Sequence, residues 1–521
     1  MKPEPPPDAR SRVPVRKRIV LINAAASVGG QVANVVLLVW LQRYLLRNVA
    51  VEEYALYPVV LAPMLLLPLV TSTLTGAVGR FAVERLSRGD PRGVTEVVST
   101  ALPLSLLLAA AAATLGSVVI AGAGPLLGVG PEHLPDARRM LGLLLALAVL
   151  RIALSPLTVG PFVTQRFLLD SLLTLGTQLA RLALVFSLLV LVEARVLWVV
   201  VGTVAAEAAG LAASLVVSRR LVPELRFRRA LVRREGAPRL AAFGGWSMAR
   251  GASMAVRRAA VPVLLNRLGT ALDVACFHLG SLVMVQLQML VALAVQPLGP
   301  PMVALHARSD RTRLRALYLR GSRYGFWVAF LFATPLVVLR EELVVLYVGP
   351  EFADAATAMA LLVMHLPLRL GNVLLMPLAP ATDNLRPMAI ASCVLHGSAV
   401  VAMAAAAALG GGAIGAAAAS LAVSAIGQPL LMWPLARRIV DLPLGEWVRR
   451  ALVPSVGPTL LGLAAWAALR EAIAPSSWLE VGLVLAGGAA VYVGTLLVVG
   501  LTEPDRADLR AAARALLRRD G

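Results

Sequence analysis

The chain is predicted to be an all-α, polytopic membrane protein of about fourteen transmembrane helices. These form two pseudo-symmetric lobes of about six helices each and two C-terminal helices. Mean hydropathy is +0.79 with only 15% charged residues, and long apolar runs recur from end to end, far outside the range of soluble chains. Basic residues alternate between loops, and a weak internal repeat relates the two halves.

A Pro-rich polar tail, 1–16, precedes the first lobe, 17–219, with apolar segments near 17–46, 54–79, 95–122, 139–164, 168–192 and 196–218. A basic linker, 220–239, leads to the second lobe, 240–438, with segments near 240–266, 272–300, 321–347, 353–380, 386–409 and 413–436. Region 439–502 holds two more, near 449–470 and 478–500, and 503–521 is a polar tail. The first apolar segment exceeds the core of a cleaved signal peptide and is expected to stay as an anchor. Gly410, Gly411 and Gly412 read as the turn between the eleventh and twelfth segments. In the tail, Leu509, Ala513, Leu516 and Leu517 share one helical face and Arg506, Arg510, Arg514 and Arg518 another, an amphipathic basic helix suited to a membrane surface.

Positively charged loops are retained on the cytoplasmic side. With both termini inside, the cytoplasmic loops and ends carry roughly 35 basic residues against 8 opposite, among the former Arg80, Arg85, Arg219, Arg229, Arg311, Arg315, Arg437 and Arg450. The net charge of +20 is therefore spread over loops on one face, which needs anionic lipid and no nucleic acid.

Several chemistries lack their residues. The only lysines are Lys2 and Lys17, so no phosphate-binding loop for ATP can be built. His133, His278, His306, His365 and His396 have no zinc-ligand spacing, and Cys276 and Cys393 fall inside apolar segments. No cofactor, metal, disulfide or enzymatic site is expected.

The informative residues are arginines near the middle of apolar segments: Arg151, Arg181, Arg250 and Arg369. A guanidinium at bilayer depth costs roughly 2.5–3.5 kcal/mol even on the lenient insertion scale, so it persists facing a water-filled cavity or a partner. Arg257 and Arg258 lie nearer a segment end, where snorkelling competes with a cavity position. Polar stripes accompany them at helical spacing: Asn23, Ser27, Gln31 and Asn34; Arg151, Ser155 and Thr158; Asp170, Thr174, Thr177, Gln178 and Arg181; Ser247, Arg250, Ser253 and Arg257; His365, Arg369 and Asn372. Glue between packed helices is the ordinary use of the Ser and Thr members. Of the acids, Glu207 is the one at depth, with Asp170 and Asp273 at segment edges, too few to neutralise the arginines. An anion-binding cavity is the expectation; structural ion pairing, with Glu207 bridged to an arginine, is the alternative.

The repeat lies in the stretch Arg47 to Tyr57, which holds Glu52, Glu53 and Tyr54, and the stretch Asn266 to Phe277, which holds Asp273. Each leaves one segment, turns and re-enters through an acidic then an aromatic step. Two lobes in parallel topology place a substrate cavity between them, the arrangement behind rocking-type alternating access.

Glu52 to Tyr57, Glu-Glu-Tyr-Ala-Leu-Tyr, resembles the Glu-Glu-Tyr-Gly-Leu-Tyr step of polysaccharide-biosynthesis flippases, the lipid-linked oligosaccharide exporters related to multidrug and toxin extrusion transporters. Gly76 to Phe81 with Gly89 and Asp90, and Tyr347 to Ala356 with its Gly-Pro-Glu-Phe, are similar to further stretches of that family. Ala55 stands where the family often has Gly, and the seventh segment carries Arg257 and Arg258 without the Asp of many relatives. The resemblance implies a flippase of the bacterial cytoplasmic (inner) membrane. Such a protein carries a polyprenyl-diphosphate-linked oligosaccharide from the inner to the outer leaflet, with membrane lipid around it and polysaccharide polymerase and glycosyltransferases as partners.

On that reading Arg151, Arg181, Arg250 and Arg369 line a cationic cavity, with Arg257 and Arg258 near its outer mouth. Asn23, Gln31, Asn34, Gln178 and Asn372 form polar wall. Asp170, Glu207 and Asp273 are the acids for H⁺ or Na⁺ coupling, or for salt bridges. The alternatives are a lipid II-type flippase, a multidrug or cation antiporter, whose site should be acidic and aromatic, and a non-transporting scaffold, for which central arginines bring cost without use.

Overall fold

The computed structural model describes residues 38–164, 166–232, 245–295, 302, 305–306, 308–382 and 384–501. The predicted tails, most of the first segment with Asn23, Gln31 and Asn34, and the end of the linker lie outside these residues. Helices make up the whole of the regular structure among the described residues, and twelve of them are long and apolar enough to cross a membrane. Together with side chains such as Leu115, Leu191 and Val401, each at least two-thirds exposed, they make a multi-pass membrane protein. The helix Gly245–Leu268 is missing from that twelve because Arg250, Arg257, Arg258 and Arg267 lower its hydropathy.

The chain divides into two compact units: the described residues up to Leu56 with Leu66–Gly245, and Tyr57–Leu65 with the described residues from Trp246. In the first unit the helices are α1 (38–48), α2 (Val51–Leu61, shared across the division), α3 (Leu67–Ser87), α4 (Pro91–Ala121), α5 (Ala123–Leu127), α6 (Leu134–Leu154), α7 (Gly160–Val163), α8 (Phe167–Leu191) and α9 (Val196–Leu221). α4 starts where Pro91 presets the helical φ and Asp90 Oδ1 accepts from the Gly93 amide at 2.8 Å. Val78, Ala82, Val94, Val98, Leu157, Val163 and Leu225 form a core of this unit. The linker begins bound to α4: Ser99 Oγ accepts from the Arg228 amide at 2.9 Å, and Thr95 Oγ1 donates to the Glu224 carbonyl at 3.0 Å.

The second unit holds α10 (Gly245–Leu268), α11 (Ala271–Val295), α12 (Arg311–Val338), α13 (Arg340–Tyr347), α14 (Ala353–Val363), α15 (His365–Leu370), α16 (Leu375–Ala381), α17 (Leu385–Ala408), α18 (Gly412–Gly427), α19 (Trp433–Val440), α20 (Leu444–Trp447), α21 (Val453–Ile473) and α22 (Trp478–Thr495). Tyr318, Phe326, Leu374, Leu378, Met388, Met432 and Trp447 pack into one core. The last two long helices, α21 and α22, bury Trp466 and Tyr492 with Leu339, and the Tyr492 hydroxyl donates to the Trp327 carbonyl on α12 at 3.0 Å. α22 opens with a capping box of Ser477 and Glu480.

Two features differ from the hydropathy reading. The segment predicted as one span, 353–380, is broken: α14, α15 and α16 are separated at Met364 and at Gly371–Leu374. Pro367 and Pro377 each lack the N–H that would continue the helix. α12 begins at Arg311, ten residues before the predicted 321, so Arg323 lies well inside a helix and not in its first turn, and is 5% exposed.

The two halves of the repeat do the same work at their turns. Glu53, at the start of α2, accepts from the Val196 amide at the first residue of α9, at 3.0 Å. Asp273, at the start of α11, accepts from the Ala413 amide in the first turn of α18, at 2.8 Å. Each acid caps a helix N-terminus four helical spans downstream in its own half.

Candidate functional site

Arginine is expelled from a dry helix bundle unless something holds it. In the second unit α10, α11, the broken α15–α16 segment, α17 and the end of α18 surround a cavity of about 680 Å³. Arg250 and Arg258 enter it from α10 and Arg369 from the end of α15. Its wall combines polar groups, Gln288, Asn372, Ser392, His396 and Gln428, with the methionines Met254, Met289, Met376, Met388 and Met432.

The guanidiniums of Arg250, Arg257 and Arg258 all act electrostatically on Arg369, so they form one cluster of positive charge. Among the described residues none of the four has a carboxylate partner. Arg250 reaches the Met376 sulfur at 3.6 Å instead, and the buried Nε of Arg257 has no hydrogen-bond partner. Arg257 is outside the cavity lining. The cavity lies nearer the helix ends that carry the basic stretches 308–315 and 437–450 than the ends joined by 268–271 and 409–412, since it is lined by 369–377 at the end of the broken segment, 388–396 at the start of α17 and 428–432 at the end of α18.

Backbone irregularity builds the position of Arg369. Its helix stops at Leu370, and the turn that follows is tied on both sides. The Tyr318 hydroxyl donates to Asn372 Oδ1 at 2.6 Å, and Asn372 Nδ2 donates to the Met432 carbonyl at 3.2 Å. Trp433 Nε1 donates to the Leu368 carbonyl at 3.1 Å. Met432 closes a π-helical turn, Gln428–Met432, a local form that is common at functional sites. Gly325 allows the Leu370 carbonyl to lie directly against α12, where any Cβ would collide with it.

The first unit treats its central charges differently. Arg151 Nη1 pairs with Glu207 Oε2 at 2.9 Å, which is the salt-bridge reading of Glu207. Arg181 is half-buried on α8, beside Gln178, whose buried Oε1 has no partner. Asp170 is exposed in the first turn of α8, where an acid suits the helix dipole. Asp273 accepts from Thr270 N and Oγ1 as well as from Ala413 N. It borders a second cavity of about 360 Å³ with Asp354 and Gly410, Gly411 and Gly412, and Gly410 and Gly412 take positive φ in the predicted turn.

Sequence reasoning missed Gln288, Gln428 and the methionine wall, since lone Gln and Met residues in apolar helices carry no spacing signal. It also passed over Arg323. Arg323 Nη1 donates to the Arg450 carbonyl at 3.2 Å and its guanidinium stacks over Trp327.

No protein-family model matches the chain, and no curated protein sequence matches it. Solved structures do. The structure titled lipid II flippase MurJ, inward closed conformation, superposes with TM-score 0.70 at 11% identity, covering 92% of this chain and 98% of that one. An inward-facing multidrug resistance MATE family transporter of the MOP superfamily gives TM-score 0.62 at 14% identity over 81% of this chain and 98% of its own. A MOP superfamily transporter from Pyrococcus furiosus Vc1, described by the reverse polarity of its binding pocket, gives 0.59 at 12% over 82% and 97%. The chain therefore has the fold shared by these flippases and transporters, in agreement with the sequence resemblance.

Proposed function

We propose that the chain is a flippase that moves a polyprenyl-diphosphate-linked oligosaccharide from the inner to the outer leaflet of the bacterial cytoplasmic membrane by alternating access. The observation that supports this is the convergence of Arg250, Arg258 and Arg369 on one cavity with no facing carboxylate among the described residues. Guanidiniums bind phosphate oxygens in bidentate fashion, and the methionine wall offers adaptable apolar surface to the first prenyl units. Membrane lipid surrounds the protein, and polysaccharide polymerase and glycosyltransferases would supply and use the substrate. A lipid II-type flippase is the second reading, favoured by the similarity to MurJ; it uses the same diphosphate chemistry. An antiporter for organic cations does not suit a wall of this sign.

The test is complementation of a deletion strain. Arg250→Ala and Arg369→Ala, at normal protein level, are expected to leave the lipid-linked glycan in the inner leaflet. Unchanged export by both variants refutes the proposal, and accumulation of lipid II instead selects the second reading.

A further inference from the structure

His396 lines the same cavity and has no part in the proposed function so far. It sits on α17, with Nδ1 3.0 Å from Ser253 Oγ. The Ser253 hydroxyl donates to the Arg250 carbonyl at 2.8 Å, so its one hydrogen is committed there. The geometry thus assigns the imidazole hydrogen to Nδ1, donating to the Ser253 oxygen, and leaves Nε2 with an open lone pair.

Among the described residues, the charged groups that act on this ring are all of one sign. Arg250, Arg257 and Arg258 act on it from α10 and Arg369 from α15. α16, α18 and the π-turn after α18 hold no titratable residue, and those of α11, Asp273, Cys276 and His278, are outside the cavity lining. On α17 itself the nearest titratable side chains are Arg386 and Cys393, whose thiol points at the Ala249 carbonyl. An imidazolium here would be one more cation in a cationic cluster, which like-charge repulsion opposes. A diphosphate reverses the sign of the local field, and a proton on Nε2 then gains both an anion and a hydrogen-bond acceptor.

We propose that His396 is the proton-accepting residue of this cavity, taking one proton from water on Nε2 when a phosphate anion occupies the site of Arg250, Arg258 and Arg369. One N–H bond forms on binding and breaks on release, when the proton returns to water. The inference rests on the flippase reading and departs from the acids singled out in the sequence, which the structure shows engaged or exposed elsewhere: Glu207 holds Arg151, Asp273 caps α18, and Asp170 is exposed.

Isothermal titration of the full-length protein in detergent with farnesyl diphosphate, at pH 7.5 in two non-phosphate buffers of different ionisation enthalpy, counts the protons taken up. The expected result is that the native protein takes up about one proton more than His396→Gln, and that its affinity falls on going from pH 6 to pH 8 while that of the variant changes much less. Equal uptake by the two proteins overturns the inference and leaves the flippase reading standing. No binding of farnesyl diphosphate by the native protein overturns the flippase reading and this inference with it. If the variant misfolds, native uptake decides alone, because the ligand is mostly ionised at that pH and a neutral or negative count excludes protonation of the ring.

Discussion

Arg151 and Glu207 form a salt bridge of 2.9 Å between α6 and α9. The carboxylate is mostly buried and the guanidinium 42% exposed, so the pair is held at one end and reachable at the other. This sets Arg151 apart from Arg250, Arg258 and Arg369, whose charges face a cavity. Removing the acid leaves a half-buried cation. Glu207→Gln is therefore expected to cost about 1–2 kcal/mol, less than a fully buried pair because of that exposure. Thermal unfolding in detergent should show the loss, and the double change Arg151→Met with Glu207→Met should recover most of it. Equal stability of Glu207→Gln and the native protein removes the structural role.

Arg257 and Arg258 are neighbours in sequence with different surroundings. Arg258 lines the cavity, while Arg257 does not and buries an Nε without a partner. Arg258→Gln should weaken farnesyl diphosphate binding about tenfold, the loss of one charge-assisted phosphate contact. Arg257→Gln should change it by less than about threefold, since it acts only through the field. Titration of both variants separates them; the reverse order would move the site to the other face of α10.

Asn372 carries the turn that sets Arg369. Asn372→Ala leaves the Tyr318 hydroxyl without its acceptor and loses the bond to the Met432 carbonyl, at about 2–4 kcal/mol for the two. Tyr318→Phe loses one of them, about 1 kcal/mol. Chemical unfolding monitored on the two variants gives the ratio, and a Tyr318→Phe loss equal to that of Asn372→Ala would mean the carbonyl bond contributes nothing.

How much of this was legible in the sequence depends on what each residue's signal rests on. Helical class and most segments follow from apolar run length, a property of the chain itself, and the acid-then-aromatic repeat at Glu53 and Asp273 turns out to be two equivalent helix caps. The central arginines were conspicuous because an apolar helix rejects them. Which of them share a cavity was not legible, because that depends on helix rotation: Arg258, placed near a mouth, lines the cavity, and Arg151, placed in it, is paired. The break after Leu370 had its signal in Pro367, Gly371 and Pro377, outweighed by the hydropathy of the surrounding segment.

Gly325 tests that break directly. The Leu370 carbonyl occupies the space that a side chain at position 325 would need, and the contact is to backbone, which cannot rotate away. Gly325→Ala must push α15 from α12 or distort the turn that holds Arg369. Overpacking of this kind costs about 1–3 kcal/mol, and here the displaced element carries a cavity arginine. The expected phenotype is reduced export with the protein still inserted and at near-normal level, together with weaker farnesyl diphosphate binding. Gly397, on the exposed side of α17 with no heavy atom near its added Cβ, is the control: Gly397→Ala should leave both measurements unchanged. If Gly325→Ala binds and exports like the native protein, close contact between the broken segment and α12 is not what positions Arg369.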